Sequence, residues 1–191
     1  KLKWNRKCLI YAMLIDHYPT IQKALNQINI VSQEIPCSIW WMPIEDALHL
    51  EFQIPSNMYV ARLTEQDVSV INSHWPHSYP GSDKYLKFII GMNGGYGLYL
   101  KSTNALIAWI MRIQIGMGTL HVMDEYKRKG YGSLITKVLT KQLAQEGVYP
   151  IASTLNNNNI SQAMFTKLGF KKCTSVMYLE CEKVETLVKS N

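Results

Sequence analysis

The alternation of hydrophobic and polar residues changes character along this 191-residue chain, and the change divides it. Ile10, Leu14, Ile21, Leu25 and Ile28 have a spacing that predicts a helix over residues 10–33, broken or restarted at Pro19. Pro36, Pro43 and Pro55 then punctuate an aromatic stretch around Trp40 and Trp41. Beyond Ser56 the alternation becomes regular. The expected organisation is therefore an N-terminal region at 1–57, a main domain at 58–183 and a tail at 184–191.

Within the main domain, residues 58–63 predict a short strand, and Thr64-Glu65-Gln66-Asp67 a helix start with a capping oxygen. Ser82 or Asp83 is placed to cap a helix over 84–92, with Tyr85, Phe88 and Ile89 on one face. Asn93-Gly94-Gly95 leads into a strand at 97–101. Ser102-Thr103-Asn104 makes a hairpin turn into 106–113, and 116–122 is the next strand. A helix follows Gly130 to about Glu146 and is closed by Gly147. A strand at 149–154, a helix at 160–168 ended by Gly169, and a strand at 173–181 complete the order. Strands followed by β-α-β-α-β predict an α/β or α+β fold with helices on the faces of a sheet.

Charge adds a position to that scheme. The net charge of +6 sits in two patches. Residues 1–7 carry four Lys or Arg and no acid, and residues 120–172 carry eight against three acids. With 47% hydrophobic and 18% charged residues the chain is no disordered polyelectrolyte. No stretch approaches the roughly 18–20 apolar residues that span a bilayer, so no membrane partner is expected. The charged start followed by apolar residues 8–15 has the outline of a signal sequence, but Asp16 and His17 follow and no small-residue cleavage site does. Beginning at Lys1 rather than Met, the chain is compatible with a fragment. Cys8, Cys37, Cys173 and Cys181 show no CxxC spacing and no nearby His pair. Neither a zinc site nor a disulfide scaffold is expected; reduced thiols in an intracellular protein, cytoplasmic or mitochondrial, are.

The chemistry concentrates in Leu120-His121-Val122-Met123-Asp124-Glu125-Tyr126-Lys127-Arg128-Lys129-Gly130-Tyr131-Gly132-Ser133. A strand runs into a basic, glycine-bearing turn that opens a helix. The first amide groups of a helix lack internal partners and carry partial positive charge. Gly130 and Gly132 have no Cβ to keep an anion away. Such a turn suits a pyrophosphate. It is neither a dinucleotide-fold GxGxxG nor a P-loop, and taken alone a Gly-x-Gly is equally a solvated basic turn. Nucleic acid is not the expected partner, because no stripe of stacking aromatics accompanies the basic residues.

The turn resembles the acyl-CoA motif of the GNAT acyltransferase superfamily, [Gln/Arg]-x-x-Gly-x-[Gly/Ala], with Lys127 in place of the first residue. Downstream, Asn158, Ser161, Met164, Phe165, Lys167, Gly169 and Phe170 resemble the superfamily's second element. Ile71-Asn72-Ser73-His74-Trp75, Tyr85-Leu86-Lys87-Phe88, Ala108-Trp109 and Glu125–Tyr131 resemble the glycine N-acyltransferase-like branch, in an insect-type member or fragment, from about Met58 to Leu179.

The resemblance implies a GNAT fold: a central mixed, mostly antiparallel sheet with a splayed strand pair and flanking helices, plus a partial N-terminal region. Residues 58–183 would then be an acyl-CoA-binding acyltransferase domain. Leu120, His121 and Val122 would lie on the splayed strand whose backbone pairs with pantetheine amides. Arg128, Lys129, Gly130, Tyr131, Gly132 and Ser133 would hold the pyrophosphate, and Asn158 would touch the cofactor from the second element. The implied reaction passes an acyl group from acetyl-CoA or another acyl-CoA to a small amine or amino acid such as glycine. No metal is implied.

Catalysis is where the resemblance thins. The branch's Glu base corresponds to Gly116, the tyrosine acid of many members to Phe165, and a Glu used by others to Ser153. His121 remains a candidate base, because an imidazole titrates near neutrality. His74 and His77 are placed to border an acceptor cleft, and a water-relayed base or none are the other options. A catalytically weak CoA-binding interaction module is the alternative function.

Overall fold

The computed structural model describes residues 8–183. The basic start at 1–7 and the tail at 184–191 lie outside the described residues. The elements are β1 (Cys8–Leu14), α1 (Tyr18–Gln27), β2 (Ile30–Trp41), α2 (Ile44–Leu48), β3 (Met58–Arg62), α3 (Val68–His74), α4 (Ser82–Asn93), β4 (Gly95–Leu100), β5 (Leu106–Ile113), β6 (Gly116–Val122), α5 (Tyr131–Gln145), β7 (Ile151–Leu155), α6 (Asn159–Lys167) and β8 (Lys171–Lys183). The expected mixed α/β class is what the chain adopts. Its described residues form two compact units, one of residues 40–153 and 160–171, the other of residues 8–39, 154–159 and 172–183.

In the larger unit the sheet runs β7-β6-β5-β4-β3. β3, β4, β5 and β6 are antiparallel neighbours, and β6 and β7 are parallel. Helices cover both faces. Leu134, Ile135, Leu139 and Leu143 of α5 pack with Leu98, Ile107, Ile110 and Met117 on one side. Ile71 of α3 and Leu86, Ile89 and Ile90 of α4 pack with Tyr99, Trp109 and Met111 on the other. Coverage on both faces explains why Leu106 to Met111 are all buried and why alternation is weak in β5.

The predicted helix start at Thr64 is a capping box: its Oγ1 accepts from Gln66 N–H, and Asp67 Oδ2 accepts from Thr64 N–H at 2.7 Å. The next helix differs from expectation at two points. Gly81, not Ser82 or Asp83, is the N-cap of α4. Phe88 points to solvent, 62% exposed, and Leu86, Ile89 and Ile90 face the sheet. Ser82 is fully buried and serves a different purpose. Its Oγ donates to Asn72 Oδ1 at 2.6 Å and accepts from Tyr79 N–H at 3.1 Å, which clamps α3 to the start of α4.

In the smaller unit the helix predicted over 10–33 is found only after its restart at Pro19, as α1. Residues 8–14 are a strand antiparallel to β8, with Cys8 opposite Cys181 and Leu14 opposite Val176. Pro19 stands in the first turn of α1, where its missing N–H costs nothing, and residues 30–33 already belong to β2. Met13, Leu25, Ile30, Met177, Leu179 and Cys181 form the core of this unit. The apolar spacing at 10–14 fits a helix or a half-buried strand, and the pairing with β8 decides it.

Candidate functional site

The site begins where β6 meets its two neighbours. On one side β6 is laddered to β5 through Ala108↔Val122, Trp109↔His121 and Met111↔Gly118. On the other it registers with β7 at one pair, Met117↔Ala152. Beyond that pair the edge of β6 continues through Leu120, His121 and Val122 without a registered strand among the described residues. This is a splayed pair. Two residues, Thr119 and Leu120, stand against Ile110 alone, and Thr119 takes φ 52°, the geometry of a bulge that redirects the strand. Past the bulge, Leu120 and Val122 join the core under α5. His121 turns to the opposite face.

β6 then runs through Met123 and a short helical turn, Asp124–Tyr126, into the start of α5. Arg128 has φ 61° and Gly130 φ 82°, so the chain reverses twice through left-handed conformations. A Cβ on Gly130 would meet nothing within 4 Å, and one on Gly132 would make only ordinary contacts with Val122 Cγ2 at 3.5 Å and Met164 Sδ at 3.8 Å. The first helical hydrogen bond across the turn is Leu134 N–H to Gly130 O at 2.9 Å, and Gly130 offers no side chain to cap the amides ahead of it. Those of Tyr131, Gly132 and Ser133 therefore precede the ladder. The residues present fit a phosphate group.

The basic side chains of the turn are partly committed. Lys127 Nζ lies 2.5 Å from Asp124 Oδ1, and that bond holds the Asp124 carboxyl below its usual pKa. Lys129 Nζ stands 5.4 Å over the Tyr126 ring, a cation–π contact. Arg128 is exposed.

His121 faces the α3 side of the sheet. Its ring stacks on Trp109, its cross-strand partner, at 4.6 Å and 26°. His74, at the end of α3, lies 5.5 Å from His121 and meets Trp109 edge-on at 6.2 Å. His121 Nε2 and Trp109 Nε1 are buried without hydrogen-bond partners. Burial, then the neighbouring His74 and Lys127, lower the pKa of His121 below the ordinary histidine value, with Asp124 pulling the other way. The site therefore favours the neutral form of the His121 imidazole. His77 is not part of this group; it is exposed and packs edge-on against Trp75 at 6.3 Å.

The three positions where the resemblance expects catalytic groups have other duties. Gly116 has φ 125°, and a Cβ there would stand 2.2 Å from the carbonyl oxygen of Ile151. No side chain fits. Phe165 is buried, 6.3 Å from Trp40 and 5.0 Å from Phe170. Ser153 lies on β7, half-buried. Asn158 belongs to the smaller unit, exposed, with its N–H donating to Leu155 O at 3.0 Å. The pairing of His74 with His121 and the Asn72–Ser82 clamp behind it go beyond what the sequence predicts. The run Asn72-Ser73-His74-Trp75 is the one signal that points to this corner.

Residues 95–179 match the family model of FR47-like proteins. No curated protein matches the chain in sequence. Among solved structures, a Drosophila protein is similar with a TM-score of 0.86 at 23% identity, over 94% of this chain and 62% of that one. A tandem GNAT protein from the clavulanic acid biosynthesis pathway, determined without AcCoA, gives 0.64 at 12% identity over 94% and 64% of the two chains. A GCN5-related N-acetyltransferase from Kribbella flavida gives 0.58 at 16% over 88% and 66%. The chain has the GNAT fold. It spans 62% of the length of the Drosophila protein and 64% of the tandem GNAT protein.

Proposed function

We propose that this chain is an acyl-CoA-dependent N-acyltransferase acting on a small amine or amino acid, with glycine a natural first choice from the sequence resemblance. The observation that carries the reading is the open edge of β6 leading, through the turn at 123–130, to the start of α5, whose N-cap is the left-handed Gly130. In this reading the backbone groups of Leu120 and Val122, which point away from β5, pair with the pantetheine arm on either side of His121 as an added strand would. The amides of Tyr131, Gly132 and Ser133, with Arg128 and Lys129, hold the pyrophosphate. The amine nitrogen attacks the thioester carbonyl carbon, a C–N bond forms, and collapse of the tetrahedral adduct breaks the C–S bond. The ammonium proton goes to His121, and the departing CoA thiolate takes one in return. His121 suits that task because burial favours its neutral form.

One observation favours the second reading, a CoA-binding module with weak or no catalysis: the position of the branch's Glu base is closed to any side chain by Ile151. A single experiment separates the two. The protein is mixed with acetyl-, longer-chain acyl- and benzoyl-CoA and a panel of amines and amino acids, and thiol release is followed alongside CoA binding by calorimetry. Amine-dependent thiol release is expected. CoA binding with no such release from any donor establishes the binding module, and no CoA binding at all overturns both readings.

A further inference from the structure

We propose that His74 is a positioning residue for His121: the two imidazoles, held over the buried face of Trp109, act as one base that carries at most one proton. This rests on the reading of His121 as the group that deprotonates an amine acceptor, and it adds a second histidine to that group.

The geometry fixes the roles of the two rings. His74 Nδ1 lies 2.9 Å from the carbonyl oxygen of Val70, one helical turn back, which can only accept. Nδ1 therefore carries the proton, and Nε2 holds the lone pair. Ser73 Oγ, 3.1 Å from the same nitrogen, helps anchor the ring. The Ser82–Asn72 hydrogen bond holds this end of α3 against α4. His121 is immobilised by stacking on Trp109, with Nε2 buried and unpartnered. Two imidazoles 5.5 Å apart repel when both are protonated, and the buried indole of Trp109, which both rings meet, keeps water from that side of the pair.

The other charged groups bearing on His121 come from the turn after β6. Lys127 opposes its protonation and Asp124 favours it, and the two are paired with each other at 2.5 Å. Trp109 on β5 carries no titratable group. From α3, the group that faces His121 is His74. Before it takes up that proton the pair presents no positive charge to an incoming ammonium group, and afterwards it carries one charge, not two. It also keeps a free lone pair at pH values where a single exposed histidine would begin to protonate. His74 is exposed while His121 is not, so substitutions at His74 change charge without opening the core.

The test reads the titration of His121 directly, by the chemical shift of its ring C–H signals in the protein and in His74→Gln and His74→Lys. Folding of each variant is checked by amide fingerprint spectra. The expected result is opposite movement. In His74→Gln, His121 titrates at higher pH than in the parent, and in His74→Lys at lower pH. The acidic limb of the kcat/KM profile moves with it in each case. Misfolding or lost packing would move both variants the same way. A His121 titration unmoved by either substitution, or moved alike by both, overturns the pairing. Opposite shifts in a protein that releases no thiol with any amine support the pairing and overturn the acyl-transfer reading on which its catalytic use depends.

Discussion

Gly116 stands so close to Ile151 that a Cβ at the glycine would lie 2.2 Å from the Ile151 carbonyl oxygen and 2.8 Å from its carbon. The obstacle is backbone, not a side chain that can swing away. The φ of 125° adds a conformation that other residues rarely adopt. This closeness brings β6 and β7 together at Met117↔Ala152, next to the place where they part. The position at which the sequence resemblance expects a Glu base is thus closed by backbone.

Gly116→Ala is accordingly expected to destabilise the protein by about 3 kcal/mol, through strain and overpacking acting together. Urea denaturation measures it. Gly116→Glu, which restores the residue type of the resembled base, is expected to unfold the site instead of raising thiol release. A stable Gly116→Glu with higher turnover would show that the strand pair can open to admit a carboxylate.

The position of this junction was half legible in the sequence. Strands and turns from Met58 onward announce themselves through local signals: the Thr64 capping box, the glycine turns before β4 and after α5, and the glycine-opened start of α5. The strand at 8–14 did not, because its apolar spacing is ambiguous and its partner, β8, lies at the other end of the chain. The turn at Arg128–Ser133 could be read because its chemistry is contiguous. The His74–His121 contact could not: one residue ends a helix, the other sits past a bulge, and only the packed sheet brings them to 5.5 Å. Phe88 shows the same limit within one helix, since the face it shares with Tyr85 and Ile89 on a wheel is set aside when Leu86 and Ile90 pack inward.

Ser82 gives a prediction about what holds His74 in place. Its hydroxyl is buried and both donates to Asn72 and accepts from Tyr79 N–H, so removing it leaves two polar groups without their partner. Ser82→Ala is expected to cost about 2 kcal/mol of stability. It is also expected to loosen the end of α3, which amide exchange at residues 72–75 will report. Exchange unchanged from the parent would mean that the helix is held by Ile71 in the core alone.

At Gly130 conformation and charge can be separated. The residue has φ 82° and open space where a Cβ would go, so the only cost of a small side chain is the left-handed backbone. Gly130→Ala is expected to lose about 1 kcal/mol of stability, and Gly130→Asn less, since Asn tolerates that region. Both leave the amides of Tyr131, Gly132 and Ser133 unblocked, so CoA affinity should change little. Gly130→Glu places a carboxylate where the pyrophosphate is proposed to sit and is expected to weaken CoA binding by about tenfold or more, two like charges at such range costing over 1 kcal/mol. Calorimetric titration of the three variants compares them. Equal affinity in all three would move the pyrophosphate away from this turn.

The environment of His121 also enters stability, with a definite sign. Burial and the charges of His74 and Lys127 lower its pKa in the folded protein from the ordinary value of 6.5. As pH falls past 6.5 the unfolded chain takes up a proton at this residue before the folded one does, so the unfolded state gains. The stability linked to neutral His121 is fully present above that pH and is lost as pH drops through the lowered folded value. His121→Gln cannot take up this proton in either state. Urea denaturation of the protein and the variant at pH 8, 7, 6 and 5 should therefore show the parent losing stability faster than the variant as pH falls. A difference between them that stays constant across the series would mean that His121 titrates alike in the folded and unfolded chain, and that the stacking on Trp109 keeps it no more neutral than water does.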